Sequence, residues 1–350
     1  MLFTYQHVRH DITKLQKYQD HLVKEVWCKA SGRYSMNLLD PEFREIVREV
    51  KKNSKKNDFL DGPIRKIFYI FRDHLDAGQR AQIAKWYDTA TDIRKLCSRQ
   101  TSNTAPTYKD LRAINSDLGA ELKKFCDNLW GNVIDLAPVI HRHQSIKQHY
   151  DKFITKNPTG KCPYCGINDF EGQYSDYREA YDHYIPKGTY PFSSINFRNL
   201  SPMCHKCNST YKGTKNPIKK GSNGKPQKAF YPYSKKDPQI SISVNLRPCD
   251  VGSIEPADFD LEFKAPGADE ELETWKRLFG IESRYKDKIC LPNEAKSWLV
   301  LVADDCYTAG LTPKQALEKF ERCHSPYPWV GANFLKIPFM RGCEKAGLIM

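Results

Sequence analysis

Two Cys-x-x-Cys turns near the middle of the chain constrain its fold more than any other feature. They are Cys162-Pro-Tyr-Cys165 and Cys204-His-Lys-Cys207, and 38 residues separate Cys165 from Cys204. Each turn can direct two thiolates at one metal ion, and four thiolates make a tetrahedral zinc site. We therefore predict that these cysteines hold one structural Zn²⁺. Redox chemistry at a single turn is the alternative, but it leaves the second pair without an explanation.

The stretch that contains both turns, residues 158–217, has the composition of a small metal-stabilised domain. It is rich in Cys, Gly, Pro, Tyr and Asn and has little helical periodicity. A core of this size rarely stabilises a domain alone, so a bound metal is expected to contribute. We predict that Gly166 allows a tight turn after the first cysteine pair. His205, inside the second turn, is expected to face solvent rather than bind the metal.

Between the cysteine pairs, the sequence Tyr181-Asp182-His183-Tyr184-Ile185-Pro186-Lys187 carries groups suited to phosphodiester hydrolysis. That reaction needs a base that activates water and a cation that stabilises charge on the phosphate. An imidazole has an ordinary pKa of about 6.5 and can accept a proton at neutral pH, so His183 is the candidate base. A hard divalent cation prefers oxygen ligands, which Asp182 and Asn208 could supply.

The order of these motifs resembles that of the HNH endonuclease family. The shared features are a DH-x-x-P-K turn at 182–187, Asn199-Leu200 before the second Cys-x-x-Cys, and Cys207-Asn208 followed by Lys212-Gly213. The resemblance spans about 60 of the 350 residues. It implies a ββα-metal nuclease domain at 158–217, in which the structural zinc and the catalytic metal are separate ions.

The resemblance also implies the elements and roles within that domain. Two short antiparallel strands are expected near 181–185 and 199–203, with a helix that begins near Cys204. His183, Asn199 and Asn208 match the three signature positions, and Asn199 would hold the base in one orientation through its side-chain or backbone oxygen. The last position is often His in the family. Asparagine there favours Mg²⁺ or Mn²⁺ as the catalytic ion.

Lysines near the motif are candidate contacts for nucleic acid. Lys187 and Lys212 could each contact phosphate or simply be solvated charge. A denser run follows, in which basic residues alternate with Gly and Asn, and we predict a flexible phosphate-binding segment there. A solvated linker is the alternative. The lysines of this run are Lys212, Lys215, Lys219, Lys220, Lys225 and Lys228.

The charge balance of the whole chain fits an anionic partner. Lysine and arginine number 55 against 42 acidic residues, a formal net charge of +13, and nucleic acid is the commonest partner for such a surplus. The N-terminus shows no secretory signal, and no apolar run reaches the length of a membrane span. The cysteines outside the two pairs are scattered singly, which predicts reduced thiols and a cytoplasmic protein.

The remaining sequence predicts an α+β protein with three parts. Residues 1–150 are expected to form a helical domain that regulates the nuclease or docks a partner or DNA, and 230–350 a smaller α+β region. Polar breaks interrupt the helical pattern at 53–57 and 98–106. Predicted helices lie near 8–26, 41–52, 64–73, 77–96, 108–129, 270–279, 295–307 and 313–323, and predicted strands near 240–246 and 258–264.

A looser resemblance includes the later segment Trp275-Lys-Arg-Leu-Phe-Gly-Ile-Glu-Ser-Arg-Tyr285. Together with the motif, it is similar to stand-alone HNH proteins of bacterial mobile-element and phage-defence regions. That resemblance implies double-stranded DNA as substrate and a partner protein, such as an ATPase, that licenses cutting. The residues carry no signal for an oligomeric state.

Three hypotheses of function follow from the sequence. They are a DNA endonuclease, a zinc-stabilised nucleic-acid-binding protein without catalysis, and an interaction scaffold. The intact set of Asp182, His183 and Asn208 favours the endonuclease. A second Asp-His dipeptide, Asp73-His74, lies in an apolar helical run with no cysteine pair nearby, and we interpret it as structural.

Overall fold

The computed structural model describes residues 1–53, 58–101 and 105–349 and shows an α+β fold, which confirms the predicted class. The polar breaks predicted at 53–57 and 98–106 include residues 54–57 and 102–104, which lie outside the described residues. Within the described ranges, none of the helices combines the length and the apolar character needed to cross a membrane.

The first part of the chain is helical, as the periodicity predicts. Asp76, Thr107 and Ser145 cap three of its helices, because each side chain accepts a hydrogen bond from a backbone N–H of the first turn. The six residues Leu22–Trp27 continue the first helix with π geometry. The helices are α1 (Lys14–His21), α2 (Pro41–Asn53), α3 (Asp61–His74), α4 (Ala77–Thr91), α5 (Ile93–Ser98), α6 (Tyr108–Ile114), α7 (Ser116–Gly131), α8 (Ala137–His143) and α9 (Ile146–Lys156).

A small two-stranded sheet lies between the cysteine pairs, close to where the family resemblance puts it. Strand β1 (Ala180–His183) pairs antiparallel with β2 (Leu200–Met203), and His183 is opposite Leu200. The π-helical segment Lys206–Lys212 follows β2 almost directly. This part of the chain therefore has the order strand, strand, helix.

Two tyrosines cover the outer edge of β2. The hydroxyl of Tyr5 donates to the carbonyl of Pro202 at 2.7 Å, and the hydroxyl of Tyr233 donates to the carbonyl of Leu200 at 2.5 Å. An edge strand exposes backbone groups that need partners, and these two hydrogen bonds satisfy them. The N-terminal segment and the segment after the second cysteine pair are thereby attached to the sheet.

The C-terminal part adds a hairpin packed against helices. Strand β3 (Ser241–Leu246) pairs antiparallel with β4 (Phe259–Lys264), as predicted. Two helices were not predicted. The first is separated from its neighbour only by Gly280, and the second contains Pro338, a residue that normally interrupts helices. The helices are α10 (Asp269–Phe279), α11 (Ile281–Cys290), α12 (Ala295–Ala309), α13 (Pro313–His324) and α14 (Asn333–Lys345).

The N-terminal segment and helix α10 of the C-terminal part both contact the first cysteine turn. The Leu2 backbone N–H donates to the carbonyl of Pro163 at 2.8 Å, and the Trp275 indole N–H donates to the carbonyl of Tyr164 at 2.8 Å. One continuous hydrophobic core joins all three parts. The division into domains at 1–150, 158–217 and 230–350 stays a prediction. The hydrogen bonds from Leu2 and Trp275 to the first cysteine turn cross the boundaries of these predicted domains.

Candidate functional site

The four thiols of the Cys-x-x-Cys turns meet in one buried cluster. The sulfur atoms of Cys162, Cys165, Cys204 and Cys207 all lie within 4.8 Å of one another. Zinc–sulfur bonds of about 2.3 Å separate the sulfurs of a tetrahedral site by about 3.8 Å, so a small contraction would close this cluster on one ion. Gly166 has a φ of +68°, which supplies the tight turn expected after the first pair.

Arg284 is the outer partner of this cluster. Its Nη1 donates to the Sγ of Cys207 at 3.2 Å, and its Nη2 donates to the Oδ1 of Asn168 at 3.4 Å. The side chain is buried, and the hydroxyl of the next residue, Tyr285, donates to the carbonyl of Cys165 at 2.9 Å. A guanidinium beside four thiolates offsets negative charge that zinc alone leaves uncompensated. Helix α11 therefore supplies both charge and position to the zinc turns.

His183 is the last residue of β1, and two neighbours hold its ring. Nε2 lies 2.8 Å from the carbonyl oxygen of Ser194. Because a carbonyl only accepts, Nε2 carries the proton and Nδ1 of the neutral ring is left as the basic atom. Trp130 of α7 packs against the same ring. Burial lowers the pKa of His183 to about 3, against the opposing effect of the Ser194 contact, so the ring is neutral at pH 7.

The side chain of Asn199 contacts the loop beside His183 and not the ring itself, and its role in orienting the ring stays a prediction. Its Oδ1 accepts from the backbone N–H of Ile185 at 2.8 Å, and its Nδ2 donates to the carbonyls of Ile185 at 2.9 Å and Ser193 at 3.3 Å. Asn199 therefore fixes the loop that carries Ser194, and the Ser194 carbonyl orients His183. The ring of His183 is therefore oriented by Ser194, and Asn199 acts on it only through this loop.

Asp182 is paired with Lys212 inside the protein. The Nζ of Lys212 lies 2.8 Å from Oδ2 and donates to Oδ1 at 3.1 Å and to the carbonyl of His183 at 3.2 Å. Lys212 is 1% exposed, so it is not the phosphate contact or solvated charge that the sequence indicated. Burial raises the pKa of the Asp182 carboxyl, and the attraction of Lys212 opposes that rise.

The oxygen ligands predicted for a divalent ion lie on β1 and on the π-helical segment. The Oδ2 of Asp182 is buried and lies 2.8 Å from the Nζ of Lys212, so a divalent ion could bind this oxygen only in place of the ammonium group. Asn208 precedes Lys212 by about one turn of the π-helical segment, so it lies on the same face of that helix. Because successive strand residues point to opposite faces, His183 is directed towards Trp130 of α7 and Asp182 towards Lys212.

The other predicted lysines fall into two groups. Lys187 is half-buried, and its Nζ lies 3.0 Å from the Oδ1 of Asp127 in α7. The later run is an ordered turn rather than a flexible segment, because the Gly221 N–H donates to the Lys225 carbonyl and the Gln227 N–H to the Lys219 carbonyl. Four of its lysines are exposed and make no ion pair with any described residue: Lys215, Lys219, Lys220 and Lys225.

Comparison with known proteins gives one partial relative. A segment of 62 residues is 40% identical to the Septu protein PtuB of Bacillus thuringiensis. The match covers 17% of this chain and 23% of that relative, so it spans less than a quarter of either protein. No protein-family model matches the chain, and no solved structure matches it. The segmental similarity and the four-cysteine cluster agree with a zinc-binding protein that shares one region with PtuB.

Three residues of the site were missed by sequence reasoning. Trp130 and Ser194 reach His183 from a helix and a loop that carry no motif, so no sequence signal was available. Arg284 lies in the segment 275–285, which the sequence analysis singled out without assigning it a role. Helix α11, which carries Arg284, packs directly against the two Cys-x-x-Cys turns. This contact is a structural reason for the segment 275–285 to accompany the cysteine motif.

Proposed function

We propose that this protein is a metal-dependent HNH-type endonuclease that hydrolyses phosphodiester bonds of DNA and acts in defence against phage. The observation that carries the proposal is the order of elements around His183. This residue ends β1, β2 follows antiparallel, and the helix bearing Asn208 begins beside the four-cysteine cluster. The similarity to the Septu protein PtuB supports the defence role.

We assign the steps of hydrolysis to the side chains at the end of β1. A phosphodiester across this strand end would have Asp182 and Asn208 on one side and His183 on the other. Nδ1 of His183 would accept the proton of the attacking water, while the Ser194 carbonyl holds Nε2–H. A divalent ion bound by Asp182 and Asn208 would stabilise negative charge on the phosphate and the leaving oxygen.

The DNA contact is assigned to the exposed lysines that follow this helix. Lys215, Lys219 and Lys220 lie within eight residues of Lys212 and have no described ion-pair partner. Unpaired surface cations of this kind contribute salt-sensitive affinity for phosphates. Lys187 would join them only if its ion pair with Asp127 opened.

Helix α7 links the helical part of the chain to the active site and supports a regulatory role for it. Trp130 covers the ring of His183, and Asp127 holds Lys187. A partner protein that moved α7, such as an ATPase, would uncover both groups at once. We therefore place the licensing step at the contact between α7 and the end of β1.

A second candidate function is a nucleic-acid-binding protein without catalysis. The observation in its favour is that both key groups are occupied: Trp130 packs on His183, and Lys212 neutralises Asp182. This candidate predicts binding to nucleic acid without any metal-dependent cleavage.

Plasmid cleavage distinguishes the two functions. The protein is incubated with supercoiled plasmid and Mg²⁺ or Mn²⁺, with EDTA as the metal-free control. We expect nicked or linear product from the wild type and none from His183→Ala. His74→Ala is the matched control, since His74 is an exposed histidine that also follows an aspartate, and its cleavage rate should equal that of the wild type. Equal cleavage by all three proteins, or none with metal and a candidate partner present, would exclude the proposed active site.

A further inference from the structure

A basic cleft of about 790 Å³ lies on the far side of the sheet from β1. Its walls come from the end of α4, the start of α5, the residue before Asn199, and the segment 231–236. Four exposed cations line it: Arg94, Arg198, Lys235 and Lys236. The volume is within the range of pockets that bind small organic ligands.

The cations of this cleft are not neutralised by the protein. None of the four makes an ion pair with a residue in the described ranges, whereas the two acids at the rim are already paired. Asp88 lies 2.5 Å from Lys24, and Asp92 lies 3.0 Å from Lys95. The cleft therefore has a local positive excess, which attracts an anion.

A neighbouring histidine reports the same positive field. The ring of His7 packs edge-to-face on Tyr233, which lines the cleft. Burial, together with the charges of Arg198 and Lys156, lowers the pKa of His7 to about 4. Cations close enough to act on a buried imidazole can also act on a phosphate in the cleft.

The floor of the cleft is connected to the predicted active site through one strand. Tyr231 and Tyr233 form part of this floor, and the Tyr233 hydroxyl donates to the Leu200 carbonyl. Leu200 is the residue that pairs with His183 across the sheet. Only β2 therefore separates a ligand in the cleft from β1, the strand that carries the candidate base His183.

The cleft continues into a second depression of about 320 Å³. The two share Arg94, Tyr231, Ser234 and Lys236. The wall of the second depression includes the apolar residues Phe230, Pro238 and Pro266, together with the acids Asp237 and Glu271. One ligand could thus place anionic groups in the first depression and a flat apolar group in the second.

We propose that this cleft binds a single strand of nucleic acid, with its phosphates against Arg94, Arg198, Lys235 and Lys236 and one unstacked base beside Phe230. Phosphates joined to flat bases are the chemistry that matches both depressions. A duplex is disfavoured, because its bases are stacked and paired and do not enter a pocket. That the bound nucleic-acid strand is the flank of the cleaved DNA rests on the proposed nuclease function. The binding of a single strand in the cleft does not depend on that function.

Binding is tested in the full-length His183→Ala protein, so that the probe is not cut. A fluorescent single-stranded DNA of 20 nucleotides is titrated at several salt concentrations and followed by anisotropy. The cleft set carries Arg94→Gln, Arg198→Gln, Lys235→Gln and Lys236→Gln. The control set removes the same charge from exposed residues elsewhere that also have no described ion pair: Arg33→Gln, Lys296→Gln, Lys314→Gln and Arg322→Gln.

We expect the cleft set to weaken binding at least about tenfold near physiological salt and the control set to change it less than about twofold. The slope of log affinity against log salt should fall by up to about 3, since each lost phosphate contact on a single strand removes about 0.7. Circular dichroism and zinc content confirm that both sets are folded. Equal losses in the two sets, or preference for a duplex that neither set alters, would overturn the proposal.

Two further arms test the ligand and separate this inference from the nuclease. Phe230→Ala should weaken binding of the intact strand but not of an abasic strand, and an equal effect on both would remove the base contact. RNA of the same sequence should bind comparably, because no group in the cleft is assigned to a 2′-hydroxyl. Loss of binding in the cleft set would stand even if plasmid cleavage proved independent of His183, and retained binding would refute the cleft even if cleavage required His183.

Discussion

Trp130 lies edge-to-face against His183, with ring centres 5.0 Å apart and ring planes at 85°. Helix α7 thus covers the candidate base His183, which lies 53 residues after Trp130 in the chain. The contact couples a helix of the N-terminal helical part to the predicted site of hydrolysis.

Replacing Trp130 should expose the ring of His183. We expect Trp130→Ala to increase the rate at which diethylpyrocarbonate modifies His183, because one face of the imidazole loses its cover. Mass spectrometry of the peptide that contains His183 measures this rate, and the exposed His74 serves as the internal standard. An unchanged rate at His183 would show that Trp130 does not limit access to the ring.

Removing Lys212 from its buried pair with Asp182 should destabilise the protein and make its stability depend on added Mg²⁺. Lys212→Met leaves a buried carboxylate without its cation, which costs about 3–5 kcal/mol of unfolding free energy. Urea unfolding in a buffer without added divalent ions measures the loss. Added Mg²⁺ should restore part of it, because the Asp182 carboxylate is then free to bind the ion.

The double variant Asp182→Asn/Lys212→Met is the control for this pair. Removing both charges should recover most of the stability and abolish the response to Mg²⁺. If Lys212→Met were as stable as the wild type, or if the double variant still responded to Mg²⁺, Asp182 would not be the ligand.

Arg284 should determine how firmly the thiolates retain zinc. We expect Arg284→Leu to lower zinc affinity by about 10–100-fold, the usual effect of removing an outer partner of a metal site. Zinc transfer to a coloured chelator measures this. Arg322→Leu, at an exposed position of α13, should behave like the wild type. Equal transfer rates for Arg284→Leu and the wild type would assign Arg284 to packing alone.

Gly280 should be essential for packing α11 against the π-helical segment. Its φ is +58°, and an added Cβ would lie 2.7 Å from the ring of Tyr211. We expect Gly280→Ala to destabilise the protein by about 2–4 kcal/mol, from left-handed strain plus overpacking. Gly310→Ala is a matched control with φ +61° and no neighbour within 4 Å, so only the strain should remain. Thermal unfolding compares them, and similar losses would argue against the contact with Tyr211.

The stability of the protein should decrease as the pH is lowered, because a histidine is buried behind β1. The Nδ1 of His149 lies 2.5 Å from the Tyr181 hydroxyl, and burial lowers the pKa of His149 to about 3, with His10 and His7 adding to the effect. Between pH 6.5 and 3 the unfolded chain binds a proton that the folded chain does not, so unfolding becomes easier as pH falls.

Urea unfolding at pH 7.5 and pH 5 measures this dependence. His149→Gln removes the titrating group, so its loss of stability over this interval should be smaller than that of the wild type. His141→Gln, at an exposed position of α8, should keep the wild-type dependence. Both proteins retain the zinc site, so the difference between their slopes isolates His149. Identical slopes would contradict the assignment.

Much of the local structure could be predicted because it depends on neighbouring residues. Apolar periodicity located most helices, and alternation of polar and apolar residues located β3 and β4. The helices α8, α9, α11 and α14 were not predicted individually, and the last two have local reasons. Pro338 hides α14, and α11 follows α10 after Gly280 alone, so a single-sequence pattern shows no clear boundary.

By itself, the sequence determined which residues could form a zinc cluster and which could supply a base and metal ligands, because spacing and side-chain chemistry are local properties. Only the tertiary structure decided what contacts them. Trp130 and Ser194 reach His183, Arg284 reaches Cys207, and Lys212 turns inward to Asp182. The two residues of each pair are between 11 and 77 positions apart in the chain. They meet because one hydrophobic core joins all parts of the protein. Packing of that core, which no local pattern encodes, sets the burial and partner of each charged group.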